Sequence, residues 1–530
     1  MSQVVQLKDK KMNKYDVVII GASLGGVQAA LSACKQGSRV LMTEESCWVG
    51  GQLTTQAVPP DEHKWIEKTG CTKSYRKYRN DVREHYRNLD NIVDELKTKE
   101  YFCPGGSWVS RCSHEPKVAL KILNSYLAPY IESGLLTIKY YTKAVDAVVI
   151  NDKIENVTIK NILTKEKELI YADYFLDGTD CGDLLPIVKA EYRTGAESRS
   201  DYGEDLAPEV GDSEDLQPIT WVIAVELCDE NDDYKMDKPE LYDYFASLGV
   251  SYDDVKLFSW YAPDANTHKA GLWGFHHNDV SEGSLGLFTY RRIIAKEYYK
   301  NKVNDVSLIN WPQNDFNLGS IFDNEDAEYN KYMAKQQSLS FIYYLQNFAK
   351  RKDGGQGFPV KLRGDVMGTS DGLALMPYIR ESRRIIGDYT IRQQDVSTKY
   401  NSDFVKFSDS VGVGHYSIDV HLTVKTGTFF YDLTHPFEIP LGALIPKRII
   451  NLIPACKNIS CTHLTNGCYR LHPVEWNIGE VAGLLAAYCI NKGLTPKQVR
   501  ATDIVEFQDY LLANGIELHW NKDLMKDIPF

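Results

Sequence analysis

The 530-residue chain contains no run of about 18 or more apolar residues, so no segment reads as a helix that crosses a membrane. Its opening, MSQVVQLKDKKMNKYD, is charged and lacks the apolar core of a secretory leader. No block of Lys and Arg stands out. With a net charge of −12 and a pI near 5.6, nucleic acid is not an expected partner. No Cys-x-x-Cys occurs, and the 11 cysteines are scattered without a framework. That argues against iron–sulfur ligation and a dithiol relay, and favours reduced thiols in a cytoplasmic protein. No run of side chains has the spacing of a metal site. Hydrophobic residues at 43% and charged residues at 25% suit a globular chain long enough for more than one core.

The N-terminal part carries the most specific pattern. YDVVII (Tyr15 to Ile20) is a short apolar run of the kind found in buried parallel strands. GASLGG follows, then VQAALSACKQG, a helix ended by Gly37, then a second strand, SRVLMTEE. This is a βαβ unit. Gly21 supplies the tight turn, and Gly25 and Gly26 open the helix against the strand. The free N–H groups and dipole at the helix start favour a pyrophosphate. Ser23 stands where a second glycine is usual, small enough for close approach and able to donate. Glu44 closes the second strand, suited to accept from ribose hydroxyls.

Glu44 followed by Gly50-Gly51 and Gln52 resembles the N-terminal fingerprint of FAD enzymes of the glutathione reductase-like superfamily. Two later segments resemble the same superfamily. In IYADYFLDGTDCGDLLP a strand runs into Asp177-Gly178-Thr179, the type of segment that brings a strand end to FAD. Before it, alternating strands with a turn at Asn151-Asp152 suggest a β-meander, with Val145 where the backbone meets the adenine. In Ile449 to Gly493 a strand, a polar loop and a helix bearing Gly479, Ala482 and Gly483 resemble the C-terminal FAD segment. The resemblance places the start of that helix at the flavin pyrimidine. Cys456 departs from the pattern, since relatives often have glycine there.

The longer runs WVGGQLTTQAVPPDEHKWIE, GCTKSYRKYR, WVSRCSHEP, YFLDGTDCGDLLP, PYIRESRRIIGDYTI and NISCTH resemble a family of bacterial FAD-dependent oxidoreductases over nearly the whole chain. That family is distantly similar to succinate dehydrogenase and fumarate reductase flavoproteins. The resemblance implies an α/β fold: a discontinuous glutathione reductase-like Rossmann domain with an inserted mixed α+β substrate domain. The boundaries expected are 13–215 for the first part, with a helical insertion near 60–95, 216–440 for the substrate domain, 441–495 for the returning part, and a helical tail over 496–530. FAD is the implied cofactor. The family has no single agreed reaction, so the substrate does not carry over.

Flavin chemistry needs a held substrate and often an acid or base. VGVGHYSIDVHL (Val411 to Leu422) reads as one strand, with His415, Ser417, Asp419 and His421 on one face. His415, or His421, is the candidate base; a strand with one solvated face is the plainer alternative. In PYIRESRR, Arg380 and Arg383 share a face if the segment is helical and could clamp a carboxylate; an ion-pair network is the alternative. His63 follows the Gly-Gly turn. Ser113, His114 and Pro116 look like a helix start. Trp221, Trp260, Tyr261, Trp273 and Tyr290 could wall a ring-binding pocket or fill a core.

No second strand–Gly-rich loop–helix unit for a nicotinamide is present; Asp365 to Gly372 lacks the preceding apolar strand. The expectation is an enzyme moving a hydride between a small organic substrate and flavin N5. Two alternatives stay open: an NAD(P)H-dependent flavin monooxygenase, and an FAD-binding scaffold that acts only with a partner chain.

Overall fold

The structure is a computed structural model, and it describes residues 14–322 and 325–526. The N-terminal leader reading and the last residues of the expected tail lie outside these. Lys14–Ile20 (β1) runs into Leu24–Lys35 (α1) and back through Val40–Thr43 (β2). Ser23 caps α1 by accepting from Gly26 N at 3.2 Å, and Gly37 takes the left-handed conformation just past its end (φ 86°). After the helices Lys73–Arg87 (α2) and Pro116–Glu132 (α3), Leu136–Lys139 (β3) joins the edge of β2. Pro116 is the first residue of α3, as the sequence suggests.

Thr142–Ile150 (β4), Lys153–Asn161 (β5) and Lys167–Asp177 (β6) form the meander. Asn151 and Asp152, at φ 50° and 60°, make its first turn. Strand β6 serves two sheets. Its first residues pair antiparallel with β5, and Tyr171 to Asp177 pair parallel with β1.

A second core follows. Ile223–Leu227 (β7), Arg292–Ile294 (β8), Val306–Ile309 (β9) and Val360–Leu362 (β10) form an antiparallel sheet of order β8-β9-β7-β10. The helix Ala327–Asn347 (α4) packs against it. The core residues run from Leu216 to Ile379, apart from Ala57 and Val58. Ile391, Val396, Val411, Ile418 and Phe437 pack instead with the nucleotide-binding core. The second core therefore ends near 380 and not near 440.

Leu452–Pro454 (β11) returns to β6, pairing parallel with Phe175 to Asp177. The parallel order is thus β3-β2-β1-β6-β11. Helices His463–Tyr469 (α5) and His472–Lys492 (α6) complete the layer. Helix α6 is buried from His472 to Cys489 and lies on α1 through small residues. A Cβ on Gly479 would meet Gly25 O at 2.0 Å, and one on Gly483 would meet Ala29 O at 2.2 Å. No helix among the described residues is long and apolar enough to cross a membrane.

Two expected elements differ. Residues 377–383 are not helical: Tyr378 bridges Thr220, and Arg384–Ile385 pairs with Tyr192–Arg193. Residues 411–422 are not one strand. Ser410–Gly414 pairs with Phe437–Pro440, Ile418–Val420 pairs with Phe430–Asp432, and the chain breaks between them at His415 to Ser417.

Candidate functional site

Three separated segments meet at the C-terminal ends of β1 and β6. Gly21 has φ 91°, and a Cβ there would lie 2.6 Å from both Gly178 O and Thr179 N. A Cβ on Gly26 would strike Gly21 O at 2.2 Å, and one on Gly178 would strike the same oxygen at 2.5 Å. Gly178 N donates to Ile20 O and Gly50 N to Ala22 O, each at 2.8 Å. Gly50 and Gly51 are left-handed (φ 109° and 46°), and Gly51 lies against Ser23. The glycines thus let three backbones converge at the start of α1. Beside them is a cavity of about 350 Å³, lined by Gly21, Ser23, Glu44, Gly51, Gly178 and Thr179, with Ala144 and Lys143 from β4.

Glu44 accepts from Ala22 N at 3.3 Å and Ser46 N at 2.8 Å. Burial pushes its carboxyl up to about 7 against those hydrogen bonds. A carboxylate on the cavity wall is the acceptor that ribose hydroxyls need. Val145 itself does not line the cavity, but a register shift between Ala144 and Asp146 leaves it without a Cα partner on β5. Asp177 turns its carboxyl onto its own chain, accepting from Thr179 N, Thr179 Oγ1 and Leu184 N at 3.0, 2.7 and 3.0 Å. Burial raises it to about 7.

The remaining proposed cofactor contacts have other partners. Gly25 packs under Ala455 O, which a Cβ would meet at 1.9 Å, and its N–H donates to Glu475 Oε1 at 3.0 Å. Gln52 donates to Arg470 O at 2.9 Å and to Glu475. Gly479 serves helix packing, and Ala482 is buried on the same helix. Cys456 Sγ lies 3.1 Å from Glu475 Oε1, and burial holds its thiol far above the usual range. Lys457, fully buried, bridges Asp180 and Glu475, the latter at 3.5 Å. The ammonium already supplies the positive charge that Asp180, Cys456 and Glu475 would otherwise draw from a bound cation. Sequence reading missed Asp180, Lys457 and Glu475. The one local signal is a glutamate inside the apolar run VEWNIGEVAGLLAAY.

The catalytic candidates separate. His415 packs edge-on against Trp65 and His63, at ring distances of 5.2 and 6.0 Å, and burial presses its imidazole down to about 4. His63 is pressed to about 3 and His114 to about 4, again chiefly by burial. Arg380 and Arg383 diverge, because the chain between them is extended rather than helical. Arg383 donates to Cys181 O and Asp183, both at 2.9 Å. Arg380 donates to Asp315 Oδ1 at 2.8 Å and to Thr220 Oγ1 at 2.7 Å. The paired-arginine clamp is therefore not formed.

His421 stands between two carboxylates. Its Nδ1 is 2.7 Å from Asp315 Oδ2 and its Nε2 is 3.3 Å from Asp419 Oδ2, while its side chain stays a quarter exposed. Burial alone would raise Asp315, but Arg380 and His421 outweigh it and hold the acid at about 2. His421 and Arg470 likewise overcome burial at Asp419 and keep it well below the carboxylate range. This triad lies on the wall of a second cavity, of about 610 Å³, that Tyr261 and Trp273 also line. Trp221, Trp260 and Tyr290 do not line it; the first two donate to backbone oxygens, of Ala374 and Lys350. The two cavities lie on either side of residues 376–380. Met376, Pro377 and Ile379 line the first, and Arg380 reaches Asp315 on the second.

The glycine cradle, the wall carboxylate and the nearby cavity fit the adenosine and pyrophosphate of FAD. No curated protein matches. Among solved structures, a THI4 protein of Thermovibrio ammonificans shares 14% identity over 40% of this chain and 80% of its own, at TM-score 0.23. A glycerol-3-phosphate dehydrogenase from Bacillus halodurans complexed with FAD shares 14% over 42% of each chain, at TM-score 0.22. The myxobacterial chondrochloren halogenase CndH, an FAD-dependent halogenase, shares 11% over 96% of this chain and 84% of its own, at TM-score 0.29. The model of the family described as FAD dependent oxidoreductase matches residues 16–511. The chain belongs to the FAD dependent oxidoreductase family, with FAD as its cofactor.

Proposed function

We propose that the protein moves a hydride between flavin N5 and a small organic substrate bound in the larger cavity. In this reading the FAD domain is discontinuous and glutathione reductase-like, and residues 216–379 form an inserted mixed α+β substrate domain. The observation that carries the proposal is His421, partly exposed at the cavity, with Nδ1 hydrogen-bonded to Asp315 and Nε2 3.3 Å from Asp419 Oδ2. Flavin, when bound, supplies N5 as hydride acceptor or donor. The chain supplies the proton handling. Nε2, on the longer contact, is the atom from which a proton passes to or from substrate. Arg380 and Arg470 hold the two carboxylates in place and so act as positioning residues.

Anaerobic visible spectra test this. The reading expects the flavin to stay oxidised with NADH or NADPH and to bleach with an organic substrate, and His421→Gln to slow substrate bleaching about 10²-fold or more. Rapid bleaching by NADPH supports the monooxygenase alternative. Unchanged substrate bleaching in His421→Gln removes the histidine from the mechanism.

A further inference from the structure

The larger cavity has an uneven chemistry. Tyr252, Tyr261, Trp273, Phe429, Phe430 and Tyr431 supply aromatic surface. The ionisable acids and bases that reach it include Asp264, Asp315, Asp419 and His421, and no Lys or Arg lines it among the described residues. Arg380 and Arg470 stand behind the carboxylates: they offset charge but offer no donor to the cavity.

Two acceptors on the wall remain unspent. Asp419 gives Oδ2 to His421 and Arg470, while its Oδ1 accepts from no described residue. Gln313 is 1% exposed, and its amide is fixed because Nε2 donates to Ser259 O and Tyr261 O at 3.1 Å each. Its Oε1 has no partner among the described residues. A carboxylate ligand would meet the carboxylates of Asp264, Asp315 and Asp419, with no Lys or Arg among the described lining residues to offset its charge. An alcohol would bring one donor. An ammonium brings three donors and a charge that aromatic faces attract.

We propose that this cavity binds a ring-bearing organic amine, with its ammonium toward Asp419 and Gln313 and its apolar body among the aromatic side chains. The proposal rests on the hydride-transfer reading above and names its substrate class.

The test is calorimetric titration of the full-length, FAD-loaded protein near neutral pH with phenethylamine, 2-phenylethanol and phenylacetate, which share a ring and differ at the terminal group. The expected result is phenethylamine binding about tenfold or more tighter than the alcohol, with no heat from phenylacetate. Asp419→Asn is expected to weaken the amine about tenfold and leave the alcohol unchanged. Asp419 also meets Arg470, so its loss can disturb the fold. Asp264→Asn, at the cavity edge, gives an independent reading and is expected to weaken the amine severalfold. Equal or tighter binding of phenylacetate or the alcohol, no effect of either variant, or no binding of any probe overturns the proposal. Flavin content and photoreduction are read in the same samples. Their retention assigns a failure to the substrate class, and their loss assigns it to the hydride-transfer reading.

Discussion

Replacing Gly479 by alanine tests whether the helix α1–α6 contact sets the cofactor site. Alanine is the better helix former by about 1 kcal/mol, so propensity alone predicts a more stable protein. Packing predicts the opposite. The new Cβ would sit 2.0 Å from Gly25 O and 2.5 Å from Gly25 Cα, both backbone atoms that no rotamer change can move away. Ordinary contact needs roughly 3.4 Å or more, so the helices must part by over ~1 Å. Overpacking of this kind costs about 1–3 kcal/mol, sometimes more. Packing should win, leaving a net loss of up to about 2 kcal/mol, and more where the overpacking exceeds that range. The strain falls on Gly25, in the first turn of α1, so FAD affinity should fall with stability, by about tenfold or more. The assay is FAD titration of the cofactor-free protein, followed by flavin fluorescence, beside a thermal melt. An unchanged dissociation constant with an unchanged or raised melting temperature would refute the packing argument.

The remaining predictions concern charge and access. Glu44, raised to about 7 by burial, should accept ribose hydroxyls best when ionised. FAD binding is then expected to weaken by up to about tenfold per pH unit below 7, and Glu44→Gln to flatten that slope. A slope of equal size in the variant would exclude Glu44. Glu67, flanked by Arg79 and Arg83, and Glu381, beside His463 and Arg384, are both held at about 2 although burial alone would raise them. Their folded values lie below the unfolded ones, so their stabilisation is present above about pH 4.5 and lost as pH falls toward 2. Glu67→Gln should therefore cost stability at pH 7 and shrink the loss between pH 5 and 3 in denaturant melts. Burial holds the Cys71, Cys112 and Cys461 thiols at about 12, whereas Cys47 is exposed. Iodoacetamide near pH 8 should label Cys47 well before those three, as read by peptide mass spectrometry; equal rates would contradict the buried placement.

How much was legible depended on range. The β1–α1–β2 unit and the Asn151-Asp152 turn are encoded within a few residues of themselves, and local pattern sufficed. Gly479 shows the next limit: its small size signalled close approach, but not that the approaching group was Gly25 rather than flavin. The Arg380–Arg383 spacing has meaning only on a helix, and pairing of residues 384–385 with 192–193 keeps this stretch extended. The alternation through 411–422 looked continuous. Yet the chain changes partners midway, sending His415 to Trp65 and His421 to Asp315. Asp315 and His421 are 106 residues apart, and Lys457 and Asp180 are 277. A buried charge names its need for a counter-charge, but nothing nearby in the chain says which one answers.

The contact between Gly25 and Glu475 spans 450 residues. At ribosomal rates of about 5–20 residues per second, the start of α1 waits roughly 20–90 s for the segment that covers it. During that interval the Gly25–Ala29 face of α1 is an uncovered apolar surface on a nascent chain, the kind of surface that chaperones engage. Cofactor capture is therefore expected only once the C-terminal segment has covered α1. Chains interrupted before α6 would carry a complete dinucleotide-binding sequence and still fail to retain flavin.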